Sequence, residues 1–231
     1  MYVYIKRTFD VLFALVLVVL LLPLLLVIAF ILLNTAEKVV LYKQTRIGQF
    51  GKKYHVIKFS SMLKNSSKMG LGFHTTRKDP RVTKFGKILR LSKLNELPQL
   101  FNILDGSMSF VGPRPMIEKS FLKYDKKARK KIFSNTPGLT GLGSIVFRDE
   151  ERMVSDYEKI GGKTTDLYLD YIFPSKQILE LWYNKNKSFS VDIKILFLTG
   201  IAVFFKGQKL HFILFRSVPW ERLTLLKKDV K

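Results

Sequence analysis

The hydrophobic pattern divides the chain into two unlike parts. From Val11 to Leu33 it reads VLFALVLVVLLLPLLLVIAFILL, twenty-three residues without a charged or polar side chain. At 1.5 Å per residue a helix of that length covers roughly 35 Å, enough for a hydrocarbon core of about 30 Å. A cleaved leader is disfavoured, because the run exceeds the usual ~7–15 apolar residues and no small-residue cleavage pattern follows. A buried helix of a soluble protein rarely lacks a polar face so completely.

Two features complicate a simple span. Pro23 sits at its middle, where it removes a backbone hydrogen bond and kinks or breaks a helix. Both flanks are basic, with Lys6 and Arg7 before the segment and Lys38, Lys43 and Arg46 after it. Basic flanks favour the cytoplasmic side, so a spanning helix would leave one of them outside. A re-entrant hairpin broken at Pro23 keeps both on one face; a kinked span is the alternative. The expected organisation is a membrane-embedded anchor over 1–35 and a cytoplasmic, membrane-associated domain over 36–231.

Beyond the anchor the pattern shortens. VVLYKQTRIGQFGKKYHVIKF (39–59) has β-branched and aromatic runs separated by Gly48 and Gly51, which predicts a hairpin or two short strands. NSSKMGLG (65–72) is a loop by composition. FGKILRLSKLNELPQLFNIL (85–104) reads as helical segments broken near Ser92, and SFVGPRP (109–115) is excluded from regular helix by Pro113 and Pro115. A Lys-rich helix is expected from Glu118 to Phe133, a loop over 134–143 and a charged helix over 148–160. LFLTGIAVFF (196–205) is too short to span and suits core or a second membrane contact. From Lys206 onward, Phe212, Phe215, Trp220, Leu225 and Leu226 mix with Lys209, Arg216, Arg222, Lys227 and Lys228. That mixture suits a helix in the headgroup layer or a solvated basic tail. The fold class is therefore α+β and mainly helical: the anchor, a small domain with a short hairpin, and amphipathic interfacial helices.

Charge narrows the partners. Forty Lys and Arg against eighteen Asp and Glu give +22, which suits nucleic acid, an anionic membrane surface or polyanionic small molecules. No recognised nucleic-acid motif accompanies it, so nucleic acid is set aside. The absence of cysteine excludes disulfides and thiolate metal sites. His55, His74 and His211 lack ligand spacing, so no zinc site is expected. GGKTT (161–165) resembles the end of a P-loop, but Tyr157 stands where that motif needs Gly.

The candidate chemistry lies in LSKLNELPQL (91–100). With Asn95 as N-cap, Pro98 falls in the first helical turn, and Leu97, Leu100, Phe101 and Leu104 share a face. A helix start also attracts phosphate. Glu96 there could hold a hard cation, since Mg²⁺ joins one or two carboxylates to substrate phosphate oxygens. Lys58, Arg90 and Arg114 could clamp a diphosphate. The prolines beside Arg114 fix its backbone, and guanidinium binds phosphate in bidentate fashion. Taken singly, each of these cations is more often a solvated charge.

The order KRTFD, an apolar segment with central Pro, RIGQFGKKYHVIKF, DPRVTKFGKILR, LNELPQLFNIL, GPRP and PGLTGLG resembles the bacterial sugar transferase family. These are the polyprenyl-phosphate phosphoglycosyl transferases that initiate lipid-linked glycan assembly. The likeness runs from about Lys6 to Thr199. It implies a monotopic protein at the cytoplasmic face of the bacterial inner membrane, with a re-entrant hairpin broken at Pro23. It also implies transfer of a sugar 1-phosphate from a UDP-sugar to undecaprenyl phosphate, releasing UMP, with Mg²⁺. In the family an Asp–Glu dyad carries this: the Asp attacks the diphosphate to give a covalent phosphosugar-enzyme, and the Glu supports the metal. Those roles fall on Asn95 and Glu96, while Lys58, Arg90 and Arg114 match phosphate-binding positions. The resemblance leaves the sugar unspecified and a homo-oligomer open; the region after Met62 and that from Phe147 to Phe173 are expected to bear on sugar choice.

Three departures stand out. The usual nucleophile is an amide at Asn95; Ser60 replaces the common Arg or Lys; and Asp105–Gly106–Ser107 replaces the usual Lys–Gly–Asp. The amide leaves several readings open. Asn95 can be a substitution that silences the enzyme. Glu96 can be the acceptor, or the two substrates can react directly. The protein can also bind polyprenyl phosphate or UDP-sugar without turnover. Deamidation to Asp is hindered, because Glu and not Gly follows.

Overall fold

The computed structural model describes residues 1–35, 37–66, 69, 79–205 and 210–223. Most of the expected loop over 65–72, His74, and the tail residues Lys209, Leu225, Leu226, Lys227 and Lys228 lie outside the described residues.

The apolar segment forms α1 (Tyr2–Leu33), which remains helical across Pro23 as a single element. By length and composition it can cross a membrane. Pro23 is exposed. Buried positions Asp10, Ala14, Leu25, Ile28 and Leu32, with half-buried Leu17, Val18 and Leu21, recur every three or four residues along one stripe. The opposite face, from Leu12 and Val16 to Val27 and Phe30, stays exposed and apolar. The stripe packs on the rest of the chain along its whole length. Ala14 joins the main core, and Leu25, Ile28 and Leu32 pack with Phe59 and Leu89. The first turns are held by polar contacts. Arg7 donates to the carbonyls of Ile103 and Leu104 at 2.6 and 2.9 Å, and Asp10 accepts from the Phe110 N–H at 3.1 Å. Lys6 pairs with buried Asp192 at 2.8 Å, an oxygen it shares with the Tyr2 hydroxyl.

The expected hairpin forms: β1 (Leu41–Ile47) pairs antiparallel with β2 (Lys53–Phe59), with Arg46 opposite Tyr54 and Tyr42 opposite Lys58. Helix α2 (Lys84–Leu91) starts at Thr83, whose hydroxyl accepts from the Gly86 N–H, and ends at Ser92 as expected. After a short 3₁₀ turn (Leu94–Glu96) comes α3 (Gln99–Asp105). Strand β3 (Ser109–Val111) then pairs in parallel with β4 (Gly138–Thr140).

Several local expectations are corrected. The Lys-rich stretch is two helices, α4 (Glu118–Phe121) and α5 (Lys126–Ile132), because Asp125 caps the second by accepting from Ala128. The supposed loop over 134–143 contains β4 and the start of α6 (Leu142–Val146). The charged helix appears as α7 (Glu150–Lys159), and GGKTT links it to the short α8 (Thr164–Leu167). A π-helical turn (Tyr168–Ile172) leads into α9 (Phe173–Asn186), followed by α10 (Phe189–Phe204) and α11 (Leu210–Leu214). Residues 196–204 are the second half of α10, which buries Ile195 and Leu198 and exposes Phe197. Phe215, Val218, Trp220 and Leu223 are buried in the main core, so these tail aromatics serve packing instead of a headgroup layer.

Candidate active site

Strand periodicity builds the first wall. Residues paired across an antiparallel ladder share a face, so Tyr42, Gln44 and Arg46 lie with Lys58, Val56 and Tyr54. The second wall follows from the parallel pair. Past the carboxyl end of β3 comes Gly112-Pro113-Arg114-Pro115; past that of β4 comes α6. Gly112 is required there, since a Cβ would strike the Thr136 carbonyl. The Gly112 N–H donates to Thr140 and the Gly138 N–H to Pro113, at 3.0 and 2.9 Å. These contacts set Arg114 and Ser144 beside the same cavity, which has a volume of about 640 Å³.

Lys58, Glu96 and Arg114, predicted from sequence, come together. Lys58 Nζ lies 2.9 Å from Glu96 Oε1, and Arg114 Nη2 lies 3.7 Å from the same oxygen. Burial alone would raise the Glu96 carboxyl; Lys58, Arg114 and Lys93 outweigh it and hold the group well below the usual carboxylate range. Burial in turn lowers the Lys58 ammonium, against the pull of Glu96. Arg46 joins them, lowered to about 10 by burial and by the charge of Arg114. Several cations thus face one carboxylate, leaving a positive surplus that an anion would neutralise. Arg90 also lines the cavity, but its guanidinium is engaged by Glu151 at 2.6 Å instead of Glu96.

Asn95 does not cap a helix. Lys93 adopts φ 62°, which breaks the chain after α2, and Asn95 sits inside the 3₁₀ turn. Helix α3 begins three residues later than the cap reading requires, with Pro98 at its N-cap. Of the expected apolar face, Leu100 is buried but Phe101 is exposed. The Asn95 side chain is buried, and its Oδ1 has no hydrogen-bond partner.

The cavity joins unlike surfaces. Phe13, Leu17 and Leu21 of α1 line it with Leu97, Leu100 and Leu196; Arg46, Glu96 and Arg114 form a charged border. On another wall, Glu150 accepts from the Tyr168 hydroxyl at 2.6 Å and from Lys176 at 2.5 Å. Buried Glu180 accepts from the Arg114 N–H at 3.4 Å. Burial pushes the Glu180 carboxyl up to about 7, opposed by that N–H and by the charges of Lys176 and Arg114.

If a divalent cation binds, Glu96 is the carboxylate that would hold it, although its Oε1 already faces Lys58 and Arg114. No group of three or more His, Asp or Glu forms a metal cage among the described residues. One carboxylate fits a hard ion that completes its shell with phosphate oxygens and water.

A family model described as bacterial sugar transferase matches residues 1–206. The chain belongs to the bacterial sugar transferase family. It is 34% identical over 212 residues to the exopolysaccharide production protein ExoY of Sinorhizobium fredii, covering 86% of this chain and 84% of that one. Similarity to the UDP-glucose:undecaprenyl-phosphate glucose-1-phosphate transferase of Klebsiella pneumoniae is 36% over 199 residues, 84% of this chain and 39% of that protein. The UDP-galactose-lipid carrier transferase of Erwinia amylovora is 34% identical over 210 residues, 85% of this chain and 39% of its own length. The chain thus spans well under half of these last two relatives.

Sequence reasoning missed several of this member's cavity residues. Arg46 was visible in RIGQFG, where strand alternation places it on the face of Lys58. Glu180 carries a fainter signal: it adjoins Leu179 and precedes Tyr183 by three on the buried face of α9. Ser144 carries none.

Proposed function

We propose that the protein transfers a sugar 1-phosphate from a UDP-sugar to undecaprenyl phosphate, releasing UMP, as the first membrane step of surface glycan synthesis. One observation carries the reading: a single cavity runs from Glu96 and Arg114, with Lys58 bonded to Glu96 beside them, to apolar residues of α1. The cationic end suits the diphosphate and the acceptor phosphate; the α1 end suits a polyprenyl chain. Phosphoryl transfer spreads charge over the equatorial oxygens, and fixed cations stabilise that charge. Arg114 and Lys58 are assigned this role, with Arg46 beside them and Arg90 at the rim. Glu96 would hold Mg²⁺, which supplies further neutralisation of phosphate charge.

Asn95 lacks the nucleophilic carboxylate that the family resemblance implies at this position, and with Glu96 assigned to the metal the route is direct displacement. An oxygen of the acceptor phosphate forms the new bond to the sugar-bearing phosphorus, and the bond to the UMP phosphate breaks. The amide equally favours a second reading, in which the protein binds polyprenyl phosphate or UDP-sugar without turnover.

The site belongs at the cytoplasmic face of the bacterial inner membrane. Basic flanks at both ends of α1, and the packing of both its halves on one domain, support a monotopic anchor with both ends on one face, although α1 itself is continuous across Pro23. The assay is UMP release in nanodiscs from a panel of UDP-sugars with Mg²⁺ and undecaprenyl phosphate. Release by the chain itself, abolished in Glu96→Gln, is expected. Silence across the panel, relieved by Asn95→Asp, would refute direct displacement and leave the binding reading.

A further inference from the structure

Among the described residues, five buried side-chain polar atoms lack a hydrogen-bond partner: Tyr54 Oη, Asn95 Oδ1, Arg129 Nε, Ser144 Oγ and Glu180 Oε2. Buried polar groups are nearly always bonded, so each exception asks for a reason. Ser144 and Glu180 both line the large cavity. Glu180 also lies against the residue that precedes Ser144: a Cβ added to Gly143 would lie 2.9 Å from Glu180 Oε1. The other polar groups on this wall are already matched, since Glu150 takes both Lys176 and Tyr168. What remains is one hydroxyl and one carboxyl oxygen without partners.

We propose that Ser144 and Glu180 form the subsite for the donor's sugar ring, binding its hydroxyl groups and setting which UDP-hexose is accepted. The proposal rests on the transferase reading above. Arg114 supplies the spatial argument. Its guanidinium is 3.7 Å from Glu96, while its main-chain N–H is 3.4 Å from Glu180. One residue therefore borders both the phosphate end and this wall, as a hexose is bonded directly to the phosphate it carries. A serine hydroxyl donates and accepts; a carboxyl held near neutrality does both in its protonated form and accepts in its ionised form. The ligand class is a neutral, hydroxyl-bearing hexose. A uronate would meet the carboxyls of Glu150 and Glu180, and the Lys176 charge is already taken by Glu150.

Calorimetric titration of the full chain in nanodiscs tests this, with UDP, UDP-glucose, UDP-galactose and UDP-glucuronate as probes. Ser144→Ala and Glu180→Gln should each weaken binding of the preferred UDP-hexose about five- to tenfold, the worth of one hydrogen bond, and leave UDP within about twofold. UDP-glucuronate should bind the parent protein less tightly than either hexose, and Glu180→Gln should narrow that gap. Equal losses for UDP and UDP-hexose in both variants would mark a merely structural role and overturn the proposal. An unchanged ratio of UDP-hexose to UDP affinity in both variants would overturn it too, while leaving UMP release as separate support for transfer. A chain that binds neither UDP nor any UDP-hexose would remove both readings together. Ser144→Ala, a small change on a short helix, decides the matter if Glu180→Gln does not fold.

Discussion

The Lys58–Glu96 pair allows an energetic test that separates a functional cluster from a solvated ion pair. At 2.9 Å the two charges attract by about 6 kcal/mol if the effective dielectric constant is about 20. Desolvation offsets much of this, because the side chains are only 20% and 16% exposed. The useful quantity is therefore the cost of stranding one partner. Glu96→Gln leaves the Lys58 ammonium facing Arg114 and Arg46, both cations, and should cost about 3–5 kcal/mol. Lys58→Met is milder, about 2–3 kcal/mol, since Arg114 at 3.7 Å still compensates Glu96. With no charge left stranded, the double variant should fall short of the sum by about 2–3 kcal/mol. For a chain of this length each kcal/mol moves Tm by about 2–4 °C, so thermal unfolding in nanodiscs resolves all three variants. Losses that simply add, or a greater cost for Lys58→Met than for Glu96→Gln, would refute the cluster's mutual dependence.

Other consequences follow from single residues. Glu180 is raised from its ordinary 4.5 to about 7, so the folded protein binds the proton more tightly than the unfolded chain. Its contribution is complete below about pH 4.5 and is lost as pH rises through about 7, by at most about 3 kcal/mol. Glu180→Gln should accordingly flatten the fall of Tm over that window, and an unaltered profile would place the titration elsewhere. Gly86→Ala should destabilise despite the better helix propensity of Ala, worth about 1 kcal/mol, because its Cβ would strike the Ser61 carbonyl; a raised Tm would contradict that packing. Tyr4→Cys, in a chain with no cysteine of its own, should react with impermeant maleimide only from the cytoplasmic side. Periplasmic labelling would show that α1 spans.

What the sequence disclosed depended on how local the governing physics was. The hairpin over 39–59 was legible, because strand alternation and turn glycines are short-range signals, and so was the break at Ser92. The single helix expected over 118–133 failed on one residue, Asp125, whose side chain caps a new helix. The parallel pairing of β3 with β4 was invisible, since three-residue strands leave no period to read and their partner lies far along the chain. The tail shows the same limit. Aromatics among cations suggest an interface, yet Phe215 and Trp220 are drawn into the core by contacts that composition does not encode.

The candidate site divides along the same line. Lys58, Glu96 and Arg114 were named from chemistry and resemblance, and the fold does assemble them, although they come from a strand, a 3₁₀ turn and a proline-flanked segment. Arg90 was named on the same grounds and is instead engaged by Glu151. The cap reading of Asn95 failed because the left-handed turn at Lys93 ends the preceding helix, and a proline then starts the next. This failure changes the chemical argument. With α3 beginning at Gln99, free N–H groups of a helix start no longer explain phosphate attraction at Asn95. The surplus of side-chain cations around Glu96 would. An anion there would be held chiefly by residues from three separate elements, so binding should respond to the loss of Lys58 or Arg114 far more than to any change in the α3 cap.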